Sequence, residues 1–236
     1  MTRQDYIADN LKRVRENVEK ALYSRQVGGK KADILLATKT VSAEDMIFAS
    51  DVLGARLMGE NKVQELCDKY EAVKGHADMH LIGHLQTNKV KYAVGKVSVI
   101  ESVDSVRLAK EIDRLSLKAG KVTDILCEIN IGREEDKGGL LEEDIGRFFE
   151  EISSFSMIRP VGVMTMAPKC EKKSDYRRYF SKTYEIFLDI SQKYLYNIIE
   201  PVLSMGMSDS YEEAILEGAT QVRVGSAVFG ERHYPC

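Results

Sequence analysis

A lysine ends the first apolar run of the chain. Residues 34–38 read ILLAT, and Lys39 follows them directly. At the mouth of an apolar pocket a lysine loses solvation, its pKa falls, and its neutral amine can attack a carbonyl or an aldehyde. The other interpretation is a strand-end lysine that extends into solvent, and this segment alone favours it. The residues at the ends of the other apolar runs are therefore needed to distinguish a reactive lysine from a solvated one.

Two later apolar runs end in small residues and hydroxyls. Residues 204–208 read SMGMS, and Gly225 is followed by Ser226. Glycine allows backbone N–H groups to approach an anion closely, and the start of a helix adds positive charge, so both segments are suited to a phosphate. Ser208 and Asp209 are predicted to cap the helix that carries residues 211–216. Together with Lys39, these segments indicate a phosphorylated aldehyde held as an imine, for which pyridoxal phosphate is the obvious case.

Arg223 stands two positions before Gly225. The two-residue period of a strand places it on the same face as Gly225 and Gln221. An arginine inside a sheet needs a partner. A ring nitrogen of the cofactor is one such partner, and an ion pair with Glu101 or Glu60 is the other. The residues alone leave both open.

Short apolar runs alternate with helical patterns along the whole chain. Parallel strands joined by right-handed helical crossovers explain such an alternation, and eight units predict a closed (β/α)8 TIM barrel, preceded here by an extra N-terminal helix. An open doubly wound sheet is the alternative. One domain is expected over residues 1–236, because no linker or repeat divides the chain. The predicted strands are 33–38, 56–59, 79–82, 97–100, 124–129, 158–164, 201–203 and 221–224.

In such a barrel the active face is formed by the residues that follow the strands. Polar or small groups are expected there after every strand. In chain order they are Lys39, Glu60 and Asn61, residues 83–89, Glu101, Asn130, residues 164–166, residues 204–208, and Gly225 with Ser226.

Composition excludes several classes of protein. With 34 basic and 37 acidic residues the formal charge is -3, which gives no reason to expect binding to nucleic acid or to an anionic membrane. Without a membrane-length apolar stretch or a signal peptide, the chain is expected in the cytoplasm. The cysteines, at positions 67, 127, 170 and 236, are too widely spaced for a zinc site and are expected to be reduced. His80 and His84 have the spacing of a metal pair but lack a third ligand, so no metal is expected.

Several segments closely resemble one known family across essentially the whole chain. They are residues 37–40 (ATKT), 59–65 (GENKVQE), 80–89 (HLIGHLQTNK), 161–168 (VGVMTMAP), 203–208 (LSMGMS) and 222–230 (VRVGSAVFG). The family is that of the pyridoxal phosphate homeostasis proteins, also called proline synthetase co-transcribed proteins, whose barrel resembles the N-terminal domain of alanine racemase.

The resemblance implies a role for eight residues. Lys39 would form the internal aldimine with pyridoxal 5'-phosphate, and Arg223 would face the pyridine nitrogen. The phosphate ligands would be Ser204, Gly225 and Ser226. Three further residues would lie close to the cofactor, namely Asn61, Met164 and Met205.

The resemblance also implies a protein that binds the cofactor as a lysine aldimine and buffers or delivers it in vitamin B6 homeostasis, rather than an enzyme. An arginine beside the ring nitrogen leaves that nitrogen unprotonated, and such a ring is a poorer electron sink. Racemases with this arginine use a second base from a separate β domain, for which 236 residues leave no room. An amino acid racemase and, more distantly, an aldolase-type barrel are the alternatives. The partners expected are pyridoxal phosphate and, in transient contact, cofactor-requiring enzymes; a monomer is favoured.

Overall fold

The strands of this protein close into a barrel. The computed structural model describes residues 1–230, and its eight parallel strands follow one another in chain order around the barrel. Pairing of β1 with β8 closes the ring, with Asp33 opposite Gln221 and Leu35 opposite Arg223. The predicted (β/α)8 barrel is confirmed, and the open sheet is excluded. The strands are β1 Asp33–Ala37, β2 Leu57–Glu60, β3 Asp78–Leu81, β4 Val99–Val103, β5 Thr123–Ile129, β6 Ile158–Thr165, β7 Val202–Ser204 and β8 Gln221–Val224.

Helices surround the barrel, and one precedes it. The N-terminal helix begins with a capping box, in which the Thr2 hydroxyl accepts from the Asp5 amide and the Asp5 carboxylate accepts from the Thr2 amide. The α-helices are α1 Arg3–Ser24, α2 Ala43–Ile47, α3 Val63–Val73, α4 Val90–Ala93, α5 Val106–Ala119, α6 Ile145–Ile152, α7 Tyr176–Lys193, α8 Tyr211–Leu216 and α9 Ser226–Phe229. A π-helical turn, Phe48–Val52, continues α2, and 3-10 turns precede α4, α6 and α7. Within residues 1–230, none of the helices has the length and apolar character needed to cross a membrane.

The apolar residues form two layers. A continuous core fills the space between the strands and the helices, and four buried apolar side chains lie apart from it, at Leu35, Ile82, Leu126 and Met164. Two of these, Leu35 and Ile82, lie against Gly59, where a Cβ atom would come within 2.9 Å of both side chains. Leu35 and Ile82 can pack at this point because Gly59 has no side chain.

The position predicted for the fourth strand differs from its position in the structure. Seven of the eight agree with the structure within one residue at each end, but the strand predicted at 97–100 is Val99–Val103. Its pairing with β5 shifts register between Ile100 and Val103, as at a β-bulge. The prediction that Glu101 follows the fourth strand is therefore wrong, because Glu101 lies within β4 and is fully buried.

The cysteines that the structure describes are free thiols. They are Cys67, Cys127 and Cys170, and Cys127 lies in β5 as predicted. Cys236 lies outside the described residues.

Candidate functional site

All eight residues implied by the sequence lie at the carboxyl ends of five consecutive strands, β6, β7, β8, β1 and β2. Met164 is in β6, Ser204 ends β7 and Met205 follows it. Arg223 is in β8, with Gly225 and Ser226 directly after it, while Lys39 and Asn61 follow β1 and β2. The fold thus brings together residues that are up to 187 positions apart in the chain.

Lys39 lies in a tight turn two residues after the end of β1 and is half-buried. The end of β8 lies close to the same strand, since a Cβ atom on Gly225 would be 3.0 Å from the Ala37 carbonyl oxygen. A larger residue at position 225 would push the two strand ends apart. Glycine therefore holds the backbone after β8 beside the strand that carries Lys39.

Two backbone amides after β8 converge on one hydroxyl. The amides of Gly225 and Ala227 donate to Ser208 Oγ over 3.1 and 3.2 Å. The prediction that Ser208 and Asp209 cap α8 is therefore wrong. The N-cap is Ser210, and its side chain makes no capping hydrogen bond. Ser226 itself is exposed. The amides are arranged as they would be around an oxygen atom of an anion.

Arg223 is held by neutral oxygen atoms. Its Nη1 donates to Ser204 Oγ over 2.7 Å and its Nη2 donates to the Thr165 carbonyl over 2.8 Å, with the residue only 4% exposed. Burial lowers the pKa of Arg223, and the charges of Glu101 and Glu128 act in the opposite direction. No carboxylate among residues 1–230 forms an ion pair with Arg223 within 4.0 Å, so the ion-pair alternative is wrong for the described residues.

Glu101 is the centre of a polar network inside the barrel. Its carboxylate accepts from Ser204 Oγ over 2.7 Å and from Gln221 Nε2 over 2.8 Å, and it lies 2.6 Å from His80 Nδ1. Burial raises the pKa of Glu101, but the hydrogen bond and charge of His80, with Arg223 and Ser204, outweigh it and bring the pKa below its ordinary value. The network therefore contains a buried carboxylate that acts on Arg223 through Ser204.

Asn61 presents an acceptor without a partner. Its Oδ1 is shielded from water and has no hydrogen-bond partner among residues 1–230. Gly83 lies so close that a Cβ atom there would be 2.2 Å from the Asn61 carbonyl oxygen, so the backbone of Asn61 is fixed from the side of β3. Buried acceptors in proteins normally have a donor. Asn61 is thus suited to a ligand group at this end of the barrel.

Comparison with known proteins identifies the family. Residues 7–233 match the family model described as the alanine racemase N-terminal domain. A pyridoxal phosphate homeostasis protein of Aquifex aeolicus is 43% identical over 227 residues, which cover 96% of this chain and 98% of that protein. The chain belongs to the pyridoxal phosphate homeostasis protein family.

Solved structures agree with this family. PipY of Synechococcus elongatus with pyridoxal phosphate bound superposes with a TM-score of 0.81 at 26% identity, covering 95% of this chain and all of PipY. An alanine racemase of Clostridium difficile shares the fold, with a TM-score of 0.74 at 14% identity, and this chain covers 60% of it. Pyridoxal phosphate homeostasis proteins therefore share the barrel with a racemase of greater length.

Several residues of this site were not assigned from the sequence. Glu128 on β5 is 5% exposed, and burial together with the charge of Asp104 raises its pKa to about 7, although Arg223 lowers it. Thr165, Gln221 and His80 join the network through partners on other strands. Two sequence signals indicate part of this network: the period-two alternation places Gln221 on the same face as Arg223, and the position of residues 164–166 at the end of a strand places Thr165 at the active face.

Proposed function

We propose that this chain binds pyridoxal phosphate at the carboxyl ends of β6, β7, β8, β1 and β2, and buffers or delivers the cofactor in vitamin B6 homeostasis. The observation that carries the proposal is the convergence of all eight candidate residues on these five neighbouring strands. The relative PipY has this cofactor in its structure, on the same fold.

The described residues fit such a cofactor. Asn61 Oδ1 is a buried acceptor without a partner among residues 1–230, and the Gly225 and Ala227 amides converge on the Ser208 hydroxyl oxygen, whose place an oxygen of the phosphate would take. Arg223 has five N–H groups, and the two hydrogen bonds described above use two of them, so donors remain for a ring nitrogen. The site thus offers groups for the two polar ends of the molecule.

Each residue has a distinct role in this proposal. When bound, pyridoxal phosphate supplies an aldehyde that reacts reversibly with a primary amine, and Lys39 provides that amine. Arg223 donates to the ring nitrogen, and Gly225 and Ser226 bind the phosphate. Ser204 was expected to be a third phosphate ligand, but its hydroxyl already bonds three side chains, so we propose instead that it chiefly orients Arg223.

The remaining residues would shape the pocket. Met164, which is fully buried and lies apart from the outer core, would form an apolar wall, and Met205, which is fully buried within that core, would support the backbone after β7. Asn61 lies at the end of the next strand after Lys39. Such walls exclude water from the cofactor.

The proposed role is that of a carrier rather than a racemase. The guanidinium of Arg223 does not readily lose a proton, so the nitrogen it faces stays unprotonated and the ring withdraws electrons weakly. The related proteins are named for homeostasis of the cofactor, not for a reaction. Both considerations favour storage and delivery over chemistry at an amino acid α carbon.

The test is the visible absorption spectrum of the protein mixed with pyridoxal phosphate, followed by borohydride reduction and peptide mapping. We expect an absorption band in the wild type and covalent label on the peptide that contains Lys39, with neither in Lys39→Ala. Lys62→Ala, which changes an exposed lysine one residue after Asn61, is the matched control and should behave as the wild type.

The outcomes separate the alternatives. Label on another lysine, or a band that persists in Lys39→Ala, would refute the assignment. If the cofactor binds and the protein also interconverts the enantiomers of an amino acid, the carrier role fails and the racemase alternative replaces it.

The same proposal covers how the protein works in the cell. We expect a monomer with one binding domain over residues 1–236, which meets cofactor-requiring enzymes transiently in the cytoplasm. Light scattering of the loaded protein, alone and mixed with an apoenzyme, measures both points. A stable dimer would contradict the first, and a lasting complex the second.

A further inference from the structure

A second cavity lies at the opposite end of the barrel from Lys39. It measures about 500 Å³ and lies at the amino ends of β1, β7 and β8, between the end of α1 and the second half of α7. Its apolar lining comes from Tyr184, Phe187, Leu188, Ile199 and Val202. This volume is within the range of small-molecule sites in proteins.

A buried arginine lines this cavity, and two of its three guanidinium nitrogens make no hydrogen bond among residues 1–230. Arg25 follows α1 and is only 3% exposed, and its Nη1 donates to the Ala219 carbonyl over 2.8 Å. Its Nε and Nη2 have no hydrogen-bond partner among residues 1–230. These two nitrogens form the side of the guanidinium that receives a carboxylate through two parallel hydrogen bonds.

The charge of Arg25 is also without an acidic partner. No carboxylate of residues 1–230 lies within 4.0 Å of it, whereas the neighbouring Lys31 is 3.8 Å from Asp33 and 3.5 Å from Glu200. A buried cation without a counterion is costly. The Ser191 hydroxyl, which lines the same cavity, is also buried without a partner. Arg25 and Ser191 thus each leave a buried polar group unsatisfied in the lining of this cavity.

A glycine turn covers the unused side of Arg25. A Cβ atom on Gly28 would be 2.8 Å from Arg25 Nη2, and Gly28 has a φ of 72°, which favours glycine. Next to it, Gly29 has open space on its side-chain position. For a ligand to reach Nε and Nη2 of Arg25, this turn would have to move aside, and it carries no side chain at Gly28 or Gly29.

We propose that this cavity binds a small molecule that has a carboxylate on an apolar, preferably aromatic, body. The carboxylate would pair with Nε and Nη2 of Arg25, and the apolar body would lie against the α7 side chains. The flat fork of two donors suits a carboxylate, and the mainly apolar lining suits a hydrocarbon ring rather than a sugar phosphate. The site is separate from Lys39, so it stands whether or not the proposed function is correct.

The experiment is calorimetric titration of the full chain with 3-phenylpropionate and with its neutral counterpart 3-phenylpropionamide. We expect the carboxylate to bind at least about tenfold more tightly than the amide, since a charge-assisted pair is lost in the amide. Arg25→Met should bind 3-phenylpropionate about tenfold more weakly than the wild type does. Arg13→Met, which changes an exposed arginine on α1, should bind as the wild type.

A second variant keeps the test decisive if Arg25→Met fails to fold. Ser191→Phe places a ring in the cavity without changing the guanidinium, and it should abolish binding of 3-phenylpropionate. Lys39→Ala should leave binding unchanged, because Lys39 is at the other end of the barrel. Equal affinity for carboxylate and amide, no binding to the wild type, or full binding to Ser191→Phe would overturn the proposal. Displacement by equimolar inorganic phosphate would overturn the assignment of a carboxylate.

Discussion

Arg223 shows how a buried arginine can be positioned without a direct ion pair. Neutral oxygens of Ser204 and Thr165 hold the guanidinium, and Glu101 acts on it through Ser204. A direct pair with Glu101 would neutralise the charge that the proposed ring nitrogen contact uses. Because the Ser204 hydroxyl lies between Glu101 and Arg223, the guanidinium is held in place while its remaining N–H groups stay available.

The first prediction compares Arg223→Ala with Lys39→Ala in the absence of cofactor. Arg223→Ala leaves the buried Thr165 carbonyl without this donor and removes one of the two donors of Ser204 Oγ, so it should cost roughly 3 kcal/mol of unfolding free energy. Lys39→Ala should change stability little, because Lys39 is half-buried and follows the strand rather than filling the core. Urea unfolding of both variants measures the difference, and a larger loss in Lys39→Ala would contradict the ranking.

The second prediction concerns the pH dependence contributed by Glu128. Its pKa is raised to about 7 in the folded protein and is near 4.5 without the fold, so between these values the folded state holds a proton that the unfolded chain has lost. Stability should therefore fall as pH rises from 4.5 to 7 and then level off, by an amount on the order of 3 kcal/mol.

Glu128→Gln should remove this component. The stability of the wild type relative to Glu128→Gln, measured by urea unfolding of the cofactor-free proteins at several pH values, should decline across this window. Glu135→Gln, at an exposed position, is the control and should run parallel to the wild type. A wild-type curve parallel to that of Glu128→Gln would contradict the raised pKa.

At the scale of elements, the features that could be predicted from the sequence are those that follow from its hydrophobic periodicity. Apolar runs and their two-residue alternation predicted the strands and the inward direction of Arg223. The alternation failed at β4, where the register shift between Ile100 and Val103 interrupts the period and Glu101 lies inside the strand. It could not predict that Ser208 meets the Gly225 and Ala227 amides, because hydrogen-bond partners on other strands depend on how the barrel closes.

A buried ion pair fixes the strands on either side of Lys39. Lys69 on α3 donates to Glu60 over 2.8 Å and to the Thr38 carbonyl over 2.9 Å, and the Thr38 hydroxyl donates to Glu60 over 2.8 Å. Burial raises the pKa of Glu60, although Lys69 and Thr38 lower it. These contacts join α3 to the ends of β1 and β2, from which Lys39 and Asn61 project.

The third prediction is that Lys69→Met is strongly destabilising. The Glu60 carboxylate would remain buried without its cation, at a cost of roughly 3 to 5 kcal/mol. The double variant Lys69→Met with Glu60→Gln removes the buried charge as well and should recover part of the loss. Thermal unfolding of the single and double variants checks this, and a neutral single variant would show that the pair does not stabilise the fold.

At the scale of the whole molecule, α1 connects the two ends of the barrel. Near its start, Arg3 donates to the Phe229 carbonyl over 2.8 Å and Asn10 donates to the Val228 carbonyl over 3.1 Å, so the helix holds α9 beside the proposed phosphate site. At its end, Arg25 lies in the cavity at the amino ends of the strands. An extra helix outside the eight β/α units thus fixes the last one.

The fourth prediction separates this role of α1 from stability in general. Asn10→Ala and Ser116→Ala each remove one buried side-chain hydrogen bond, the first between α1 and α9 and the second between α5 and Thr123 of β5. Each should cost about 1 to 3 kcal/mol. Only Asn10→Ala should also weaken binding of pyridoxal phosphate, because α9 begins at Ser226, whereas Thr123 lies on β5, which carries none of the proposed cofactor contacts. Fluorescence titration of both folded variants measures this difference. Equal loss of affinity would mean that overall stability, rather than the position of α9, governs how tightly the cofactor is held.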